Sequence, residues 1–544
     1  MGAPQASGAE AEETTPRPSR SALTPLRLPV YRRLWLAALV SNLGTWMHEA
    51  AGAWLMTTLA PSPLLVALMQ TAASLPFFLL AFPAGALADV VDRRRVLLLT
   101  QSWMLVAAAA LGVLTLLGGI TPAMLLGLTF ALGVGSAMTA PAWQAITPEL
   151  VPRRDLPAAI ALGGVAFNLA RAVGPAFGGL ATASFGPGVV FLLNAASFLA
   201  VLAVLARWRP TVTRSFEVPE DVFGAMRAGA RYVRHSLPLR TVLARSVSFV
   251  LFASAIWSLL PLVARNLLEV GAVGYGLLLG CLGAGAVAGA AALPSLRRRV
   301  RTDVLMAGAT ATFALASATL GLARNPMVAG IVLLGGGAAW MATMATINTA
   351  AQTAVSAWVR ARALAVSLLV IQGSMAAGAL LWGGVAARTG VPTALLIASG
   401  GLFVGLAAAS RFRLGASEGL DLTPAEPVPA PPLAGDLAAG GGPVLVTVEY
   451  RVDPERADDF VSAIRRLARV RRRDGAQLWG VFRDAADPAR YIETFTVESW
   501  AEHLRQHERM TVADRELQAK VREFHVAAEP PVVTHFIAAP APDE

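Results

Sequence analysis

Charge is what this chain has least of. Only 15% of its 544 residues are Asp, Glu, Lys or Arg, against about 25% in soluble domains. No charged residue occurs between Arg95 and Glu149, between Arg171 and Arg207, or between Arg324 and Arg360. A run of about 20 apolar residues spans a bilayer once, and the longer uncharged stretches fit two passes joined by a turn. With 55% hydrophobic residues and a mean hydropathy of +0.57, a water-soluble enzyme of this size is excluded. Cysteine is almost missing. The lone Cys281 permits no intramolecular disulfide and no cysteine metal cluster. Lysine is reduced to Lys520, so the net charge of +10 is essentially arginine. Those arginines lie between apolar runs, which is a membrane pattern and speaks against nucleic acid as a partner. Residues 1–29 have no apolar signal-peptide core and read as a disordered cytoplasmic tail.

Apolar segments are predicted at 34–59, 64–88, 96–118, 122–145, 156–181 and 188–206. A second set follows at 241–264, 272–295, 304–323, 326–350, 364–387 and 391–410. Arginine clusters fall in alternate connections: Arg32 and Arg33, Arg93 to Arg95, Arg153 and Arg154, the loop 207–240, Arg297 to Arg301, Arg360 and Arg362, then Arg411 and Arg413. The other connections carry only Arg265, Arg324 and Arg388. The positive-inside rule therefore puts both termini and the central loop in the cytoplasm. The expected fold is an all-α membrane protein of twelve transmembrane helices in two six-helix bundles, 30–206 and 241–413. The fifth helices echo one another: GPAFGGLATASFG (174–186) corresponds to GALLWGGVAARTG (378–390). Such doubled halves are a transporter architecture.

Residues 414–443 are rich in Pro, Ala and Gly and read as a linker. Residues 444–544 are of another kind. Strand-like alternation at 444–452, 477–484, 490–497 and 532–539 is interleaved with helical periods at 453–472 and 499–525. The order β-α-β-β-α-β predicts a small α+β ferredoxin-like domain. His503 and His507 share a helix face, but with no third ligand in the pattern no metal site is assigned. No cofactor motif is present. Trp479 and Trp500 are expected to pack the small core.

Two constellations stand at helix ends and seams. In GALADVVDRRRV (85–96), Gly85 is expected to allow close helix contact. Asp89, with Asp92, Arg93 and Arg94, forms a charge cluster able to lock one closed state. The equivalent loop of the second half, LPSLRRRVRTD (293–303), keeps the arginines without a matching acid, so gating is expected to rest on the first cluster. In GPAFGG (174–179), Pro175 should bend the fifth helix, and Gly174, Gly178 and Gly179 should let neighbours approach closely.

Ionisable groups inside the apolar segments are few: His48, Glu49 and Arg171. Each is costly in hydrocarbon and so needs a partner or a wet cavity. Counted from Arg33 and Arg154, Glu49 and Arg171 reach the same depth, about 25 Å in at 1.5 Å per residue. Asn42, Trp46 and Glu49 share one face of the first helix, Asn168 and Arg171 one face of the fifth. His48 points about 100° away from Glu49. Two readings stand for this group. Glu49 binds a proton or a cationic substrate with Arg171 tuning it, or the two form a structural ion pair. Gln70, Gln101, Gln144, Asn194, Asn348, Gln352 and Gln372, with Trp143 and Trp257, are expected to line an amphipathic path.

Gly85, Asp89, Arg93 and Arg94 match the loop signature of the major facilitator superfamily, and GPAFGG resembles part of the fifth-helix motif of its exporters, with Ala161 and Ala170 where upstream glycines would stand. The opening YRRLWLAALVSNLGTWMHEAAGAWLM (31–56) is similar to the branch containing the enterobactin exporter, the transmembrane secretion effectors. The stretch 500–525 resembles a cytoplasmic extension in that branch, itself similar to antibiotic-biosynthesis-monooxygenase folds. The resemblance implies a multi-pass exporter in the bacterial cytoplasmic membrane, driven by an ion gradient with the proton as coupling ion. The lipid bilayer and a small hydrophobic or amphipathic molecule are its partners, and dimerisation through the tail is a further expectation. Competing readings are a membrane-tethered enzyme acting through 444–544 and a non-transporting sensor.

Overall fold

The computed structural model describes residues 23–60, 62–208, 222–409, 421–425 and 442–538. Most of the expected N-terminal tail, part of the central loop with Arg209 and Arg214, Arg411 and Arg413, and most of the expected linker lie outside these residues. So does the side chain of Asp89.

The first half consists of α1 (Pro29–Leu59), α2 (Pro63–Val90), α3 (Arg93–Leu116), α4 (Pro122–Leu150), α5 (Leu156–Phe185) and α6 (Pro187–Arg207). A short α7 (Val222–His235) leads to the second half: α8 (Leu237–Leu262), α9 (Ala272–Arg299), α10 (Thr302–Leu322), α11 (Pro326–Thr353), α12 (Arg360–Thr389) and α13 (Val391–Ala409). Proline at the first turn starts α1, α2, α4, α6 and α11, where its missing N–H costs nothing and its φ is already helical. Asp92 caps α3 by accepting from the amides of Arg94 and Arg95. Thr121 and Asn325 cap α4 and α11 in the same way.

Eleven helices among the described residues are long and apolar enough to cross a membrane, against the twelve expected. The one that falls short is α1, although it has 31 residues. Asn42, His48 and Glu49 in its middle lower its hydropathy. The expected loop 207–240 also needs correction, because 222–235 within it is helical and amphipathic.

The echo between halves has a structural counterpart. Gly186 after α5 has φ +81° and Gly390 after α12 has φ +85°. Each makes the tight corner into the next helix, a conformation open to glycine and strained for L side chains. The halves meet along two seams, α5 against α9 and α12 against α2.

The tail is a four-stranded antiparallel sheet with helices. Its elements are β1 (Val444–Arg451), α14 (Ala457–Arg473), β2 (Trp479–Arg483), β3 (Arg490–Val497), α15 (Trp500–Arg509), α16 (Val512–Arg522) and β4 (Val532–Ile537). Strand order is β2-β3-β1-β4, with Val448 opposite Glu493 and Val533. Alternation along β1 puts Val444, Val446, Val448 and Tyr450 inside. There Tyr450 and Tyr491 pack on Phe460, Ile464 and Leu467 of α14. The tail touches the membrane half through α7. Arg231 donates to Glu502 at 2.9 Å, Glu502 accepts from Arg509 at 2.7 Å, and the Arg509 guanidinium lies 4.3 Å above Trp358, ahead of α12.

Candidate functional site: a central cavity between the halves

One glycine of each double-glycine pair holds a seam. A Cβ on Gly179 would stand 2.5 Å from the Ala272 carbonyl oxygen and 3.0 Å from Gly276 Cα, both on α9. A Cβ on Gly383 of α12 would stand 2.6 Å from Ala67 Cβ and 3.2 Å from Leu64 Cα, both on α2. Only glycine admits these backbones so close, as small residues do in membrane bundles. Gly174 and Gly178 instead receive α1: their Cβ atoms would meet Trp46 Cβ at 2.7 Å and Met47 Cα at 2.8 Å. Pro175, between them, is buried and lines the cavity. Further ties close the end opposite the arginine-rich loops. Arg265 donates to Thr57 at 3.1 Å, Thr71 donates to the Ala376 carbonyl at 3.0 Å, and Trp54 stacks on Tyr275.

Below this seal lies a cavity of about 620 Å³ lined by Asn42, Trp46, Glu49, Gln70, Gln101, Trp143, Gln144, Trp340 and Gln372, among others. It continues into a compartment of about 200 Å³ nearer the seal, walled by Trp46, Glu49, Arg171, Pro175, Trp257, Tyr275 and Trp340. A third space of about 80 Å³, behind α1, is lined by His48, Glu49, Thr129, Asn194 and Phe198. Glu49 is the only polar residue that borders all three.

Asn42, Trp46 and Glu49, four and three residues apart on α1, thus face one cavity. Glu49 is exposed, and the surface it shows is cavity wall. Arg171 reaches the upper compartment between two indoles, its Cζ 6.0 Å from the Trp46 ring and 5.6 Å from the Trp257 ring. No hydrogen bond or ion pair joins Glu49 to Arg171, and Arg171 Nε and Nη2 are buried without a partner. A structural Glu49–Arg171 salt bridge is therefore absent. Asn168 donates to the Gly164 carbonyl one turn back at 2.9 Å and is not among the residues lining these cavities. His48 turns to α6, its ring 4.4 Å from Phe191, with both ring nitrogens buried and unpartnered. Asn348 and Gln352 are exposed and line none of the three spaces. Trp340 and Tyr275 do line them, and nothing in their sequence surroundings marks them.

At the arginine-rich end, Arg93 donates to Glu149 of α4 at 2.6 Å. Arg94 donates to the carbonyls of Leu205 and Ala206 at the end of α6, at 2.8 and 2.7 Å, which suits a cation at a helix C-terminus. The cluster therefore ties α3 to α4 and α6. Gly85 makes no close contact: a Cβ there would meet nothing within 4 Å. The second half has its own acid after all. Asp303 at the start of α10 pairs with buried Arg245 of α8 at 3.1 Å.

In the tail, His503 Nε2 lies 3.2 Å from His507 Nε2 and the His535 ring is 4.7 Å from that of His503. Among the described residues no group of three or more His, Cys, Asp or Glu side chains is placed to hold a metal ion. Burial, with the charges of His507 and His535 next in weight, pulls His503 down from 6.5 to about 4.

Two helical halves around a central cavity, sealed at one end, define the fold of a secondary transporter. Residues 20–542 match the transmembrane secretion effector family, and the chain belongs to that family of major facilitator transporters. It is thus a multi-pass membrane protein of a transporter family. It is 30% identical over 181 residues to the staphyloferrin A transporter of Staphylococcus aureus, covering 33% of this chain and 45% of that one. It is 29% identical to the multidrug efflux pump Tap of Mycolicibacterium fortuitum, over 38% of this chain and 52% of that one. It is also 29% identical to the enterobactin exporter of Salmonella typhimurium, over 51% and 66%. The chain thus spans less than two thirds of the length of these relatives. The fold is shared with a bacterial homologue of the human lysosomal transporter Spinster in an inward-facing, unoccupied conformation. The TM-score is 0.56 at 16% identity, over 72% of this chain and 97% of that one. The nucleoside transporter NupG gives 0.52 at 12% identity, over 71% and 99%.

Proposed function

We propose that this protein exports a small hydrophobic or amphipathic molecule by proton-coupled alternating access, with Glu49 as the group that exchanges a proton for cargo. The carrying observation is the position of Glu49: a carboxylate without a hydrogen-bonded partner, on the wall of both compartments between the halves and of the smaller space inside the first bundle. An acid that faces a cavity and lacks a fixed partner is free to take a proton in one state and a substrate charge in another. One charge moved across about 100 mV supplies about 2.3 kcal/mol, enough for a gradient of about fifty-fold. Aromatic walls with scattered amides favour an amphipathic cargo over a sugar or simple ion. Export is favoured by the GPAFGG motif and by the relatives named as exporters or efflux pumps.

In this reading α1 is the twelfth span, the bundles are 30–206 and 241–413, and the arginine-rich end and both termini face the cytoplasm. The ties at the other end, Arg265 to Thr57 and Trp54 on Tyr275, support an inward-open conformation in this reading. The tail, with the strand order of a ferredoxin-like domain, serves regulation or dimerisation. The sheet face turned away from its helices exposes Leu445, Phe482 and Phe536, an apolar patch suited to a second copy.

Everted membrane vesicles test the proposal. Glu49→Gln should abolish proton-driven accumulation of a lipophilic dye while leaving the protein folded and inserted. Normal pumping by that variant would overturn the assignment of Glu49.

A further inference from the structure

The upper compartment is unbalanced in its polar chemistry. On one side stand three donors with no acceptor: Arg171 Nε, Arg171 Nη2 and Trp257 Nε1, all buried and unpartnered and all on residues of one 200 Å³ wall. Nε–H and Nη2–H leave the guanidinium along the same edge, parallel to each other. That edge matches the two oxygens of a carboxylate or a similar planar oxyanion. The indoles of Trp46 and Trp257 flank the guanidinium and hold it in place. On the other side stands a single acid, Glu49, open to the same space.

Opposite charges inside a bundle ordinarily pair, because each alone bears an unrepaid desolvation cost. Here they share a cavity and act on each other only through space, with no hydrogen bond or ion pair between them. A ligand that carries both complementary charges would satisfy both groups at once, and neither an anion nor a cation alone would do so.

We infer that the cargo is a zwitterion with an apolar body: its carboxylate-like oxyanion docks on the Arg171 Nε/Nη2 edge with the Trp257 N–H, and its cationic nitrogen docks on Glu49. The body extends into the larger compartment among Trp143, Phe77 and Phe198. The inference rests on the export reading in one respect, that the cation displaces the proton Glu49 holds. The ion-pair geometry itself does not depend on transport.

The test is equilibrium binding by titration calorimetry to the full chain in lipid nanodiscs, with three probes that share one body: 2-naphthylalanine, its methyl ester and its N-acetyl derivative. The zwitterion should bind more tightly than either capped form by about tenfold or more, the worth of one charge-assisted hydrogen-bonded contact. Arg171→Gln should bring the acid-to-ester ratio close to unity and keep the amine-to-acetyl ratio, and Glu49→Gln should do the reverse. Trp257→Phe, which keeps an aromatic ring beside the guanidinium and removes one donor, should reduce the acid-to-ester ratio in part, and it serves where Arg171→Gln does not fold. Equal binding of the three probes, binding of none, or an acid-to-ester ratio unchanged in both the Arg171 and Trp257 variants overturns the inference. Loss of energised flux with these ratios intact would instead sink the coupling mechanism alone.

Discussion

Gly178 of α5 lies so close to Met47 of α1 that a Cβ would stand 2.8 Å from both the Met47 Cα and its carbonyl oxygen. The atoms in the way are backbone, so no rotamer change relieves the clash. Met47 is two residues from Glu49, and the contact sets where that carboxylate enters the cavity. Gly178→Ala should lower stability by about 1–3 kcal/mol, as overpacking does, and cut transport more than it cuts expression. Melting of purified protein compared with vesicle transport checks this. A wild-type transport rate would show that the α1–α5 contact does not position the site.

Two of the ion pairs at the arginine-rich end should differ in worth. Arg93 and Glu149 side chains are 39% and 34% exposed, and such pairs contribute less than about 1 kcal/mol. Arg245 and Asp303 are 7% and 24% exposed, and breaking a buried pair from one side costs more. Asp303→Asn should therefore lower the melting temperature further than Glu149→Gln, measured side by side in one detergent.

Acid should loosen the tail. His503 titrates near 4 when folded against 6.5 when unfolded, because burial first, and then His507 and His535, disfavour its charged form. Arg471 adds a further positive charge beside His503 and His507. The unfolded tail thus binds more protons. Its stability is complete above pH 6.5 and is lost as pH falls toward 4. Hydrogen exchange of β1 and α15 should accelerate through that window, and His503→Phe should flatten the dependence. Exchange independent of pH, after correction for intrinsic rates, would contradict it.

The tail should also detach when one carboxylate is removed. Burial raises Glu502, but Arg509, Arg505 and Arg231 outweigh it and hold the carboxyl below its ordinary value. The carboxylate is therefore ionised at neutral pH, between Arg231 of α7 and Arg509 over Trp358. Glu502→Gln leaves the guanidiniums of Arg231, Arg505 and Arg509 without their acid, at a cost on the order of 3 kcal/mol. Faster exchange in α7 and around Trp358 is the expected outcome, and unchanged protection there would refute the docking role.

Legibility in the sequence was uneven for physical reasons. The spans were readable because hydrocarbon tolerates no unpaired charge, so uncharged runs and arginine clusters mark helices and turns. α1 is the exception, since Asn42, His48 and Glu49 in its middle lower its hydropathy. The β-strands of the tail were readable from alternation: Arg490–Val497 falls where 490–497 was expected. α7 was hidden in a polar loop because the neighbours that bury its Tyr232, among them Ala354, Val355 and Val359, are distant in sequence. Among the described residues no atom lies within 4 Å of a Cβ built on Gly85, whereas at Gly174, Gly178 and Gly179 such a Cβ meets α1 or α9 closely. Motif spacing alone does not say which glycine has a neighbour.

The same divide runs through the site. Composition and helical spacing by themselves predict one depth for Glu49 and Arg171, which border one compartment, and a shared stripe for Asn42, Trp46 and Glu49, because rise and turn per residue are properties of the helix. Only the tertiary structure decided that Asn168 turns back to its own helix, that Trp257 and Trp340 from the other half close the wall, and that the acid and the guanidinium share a cavity without pairing. Those outcomes depend on how two bundles approach across glycine seams, and on which faces the approach leaves open.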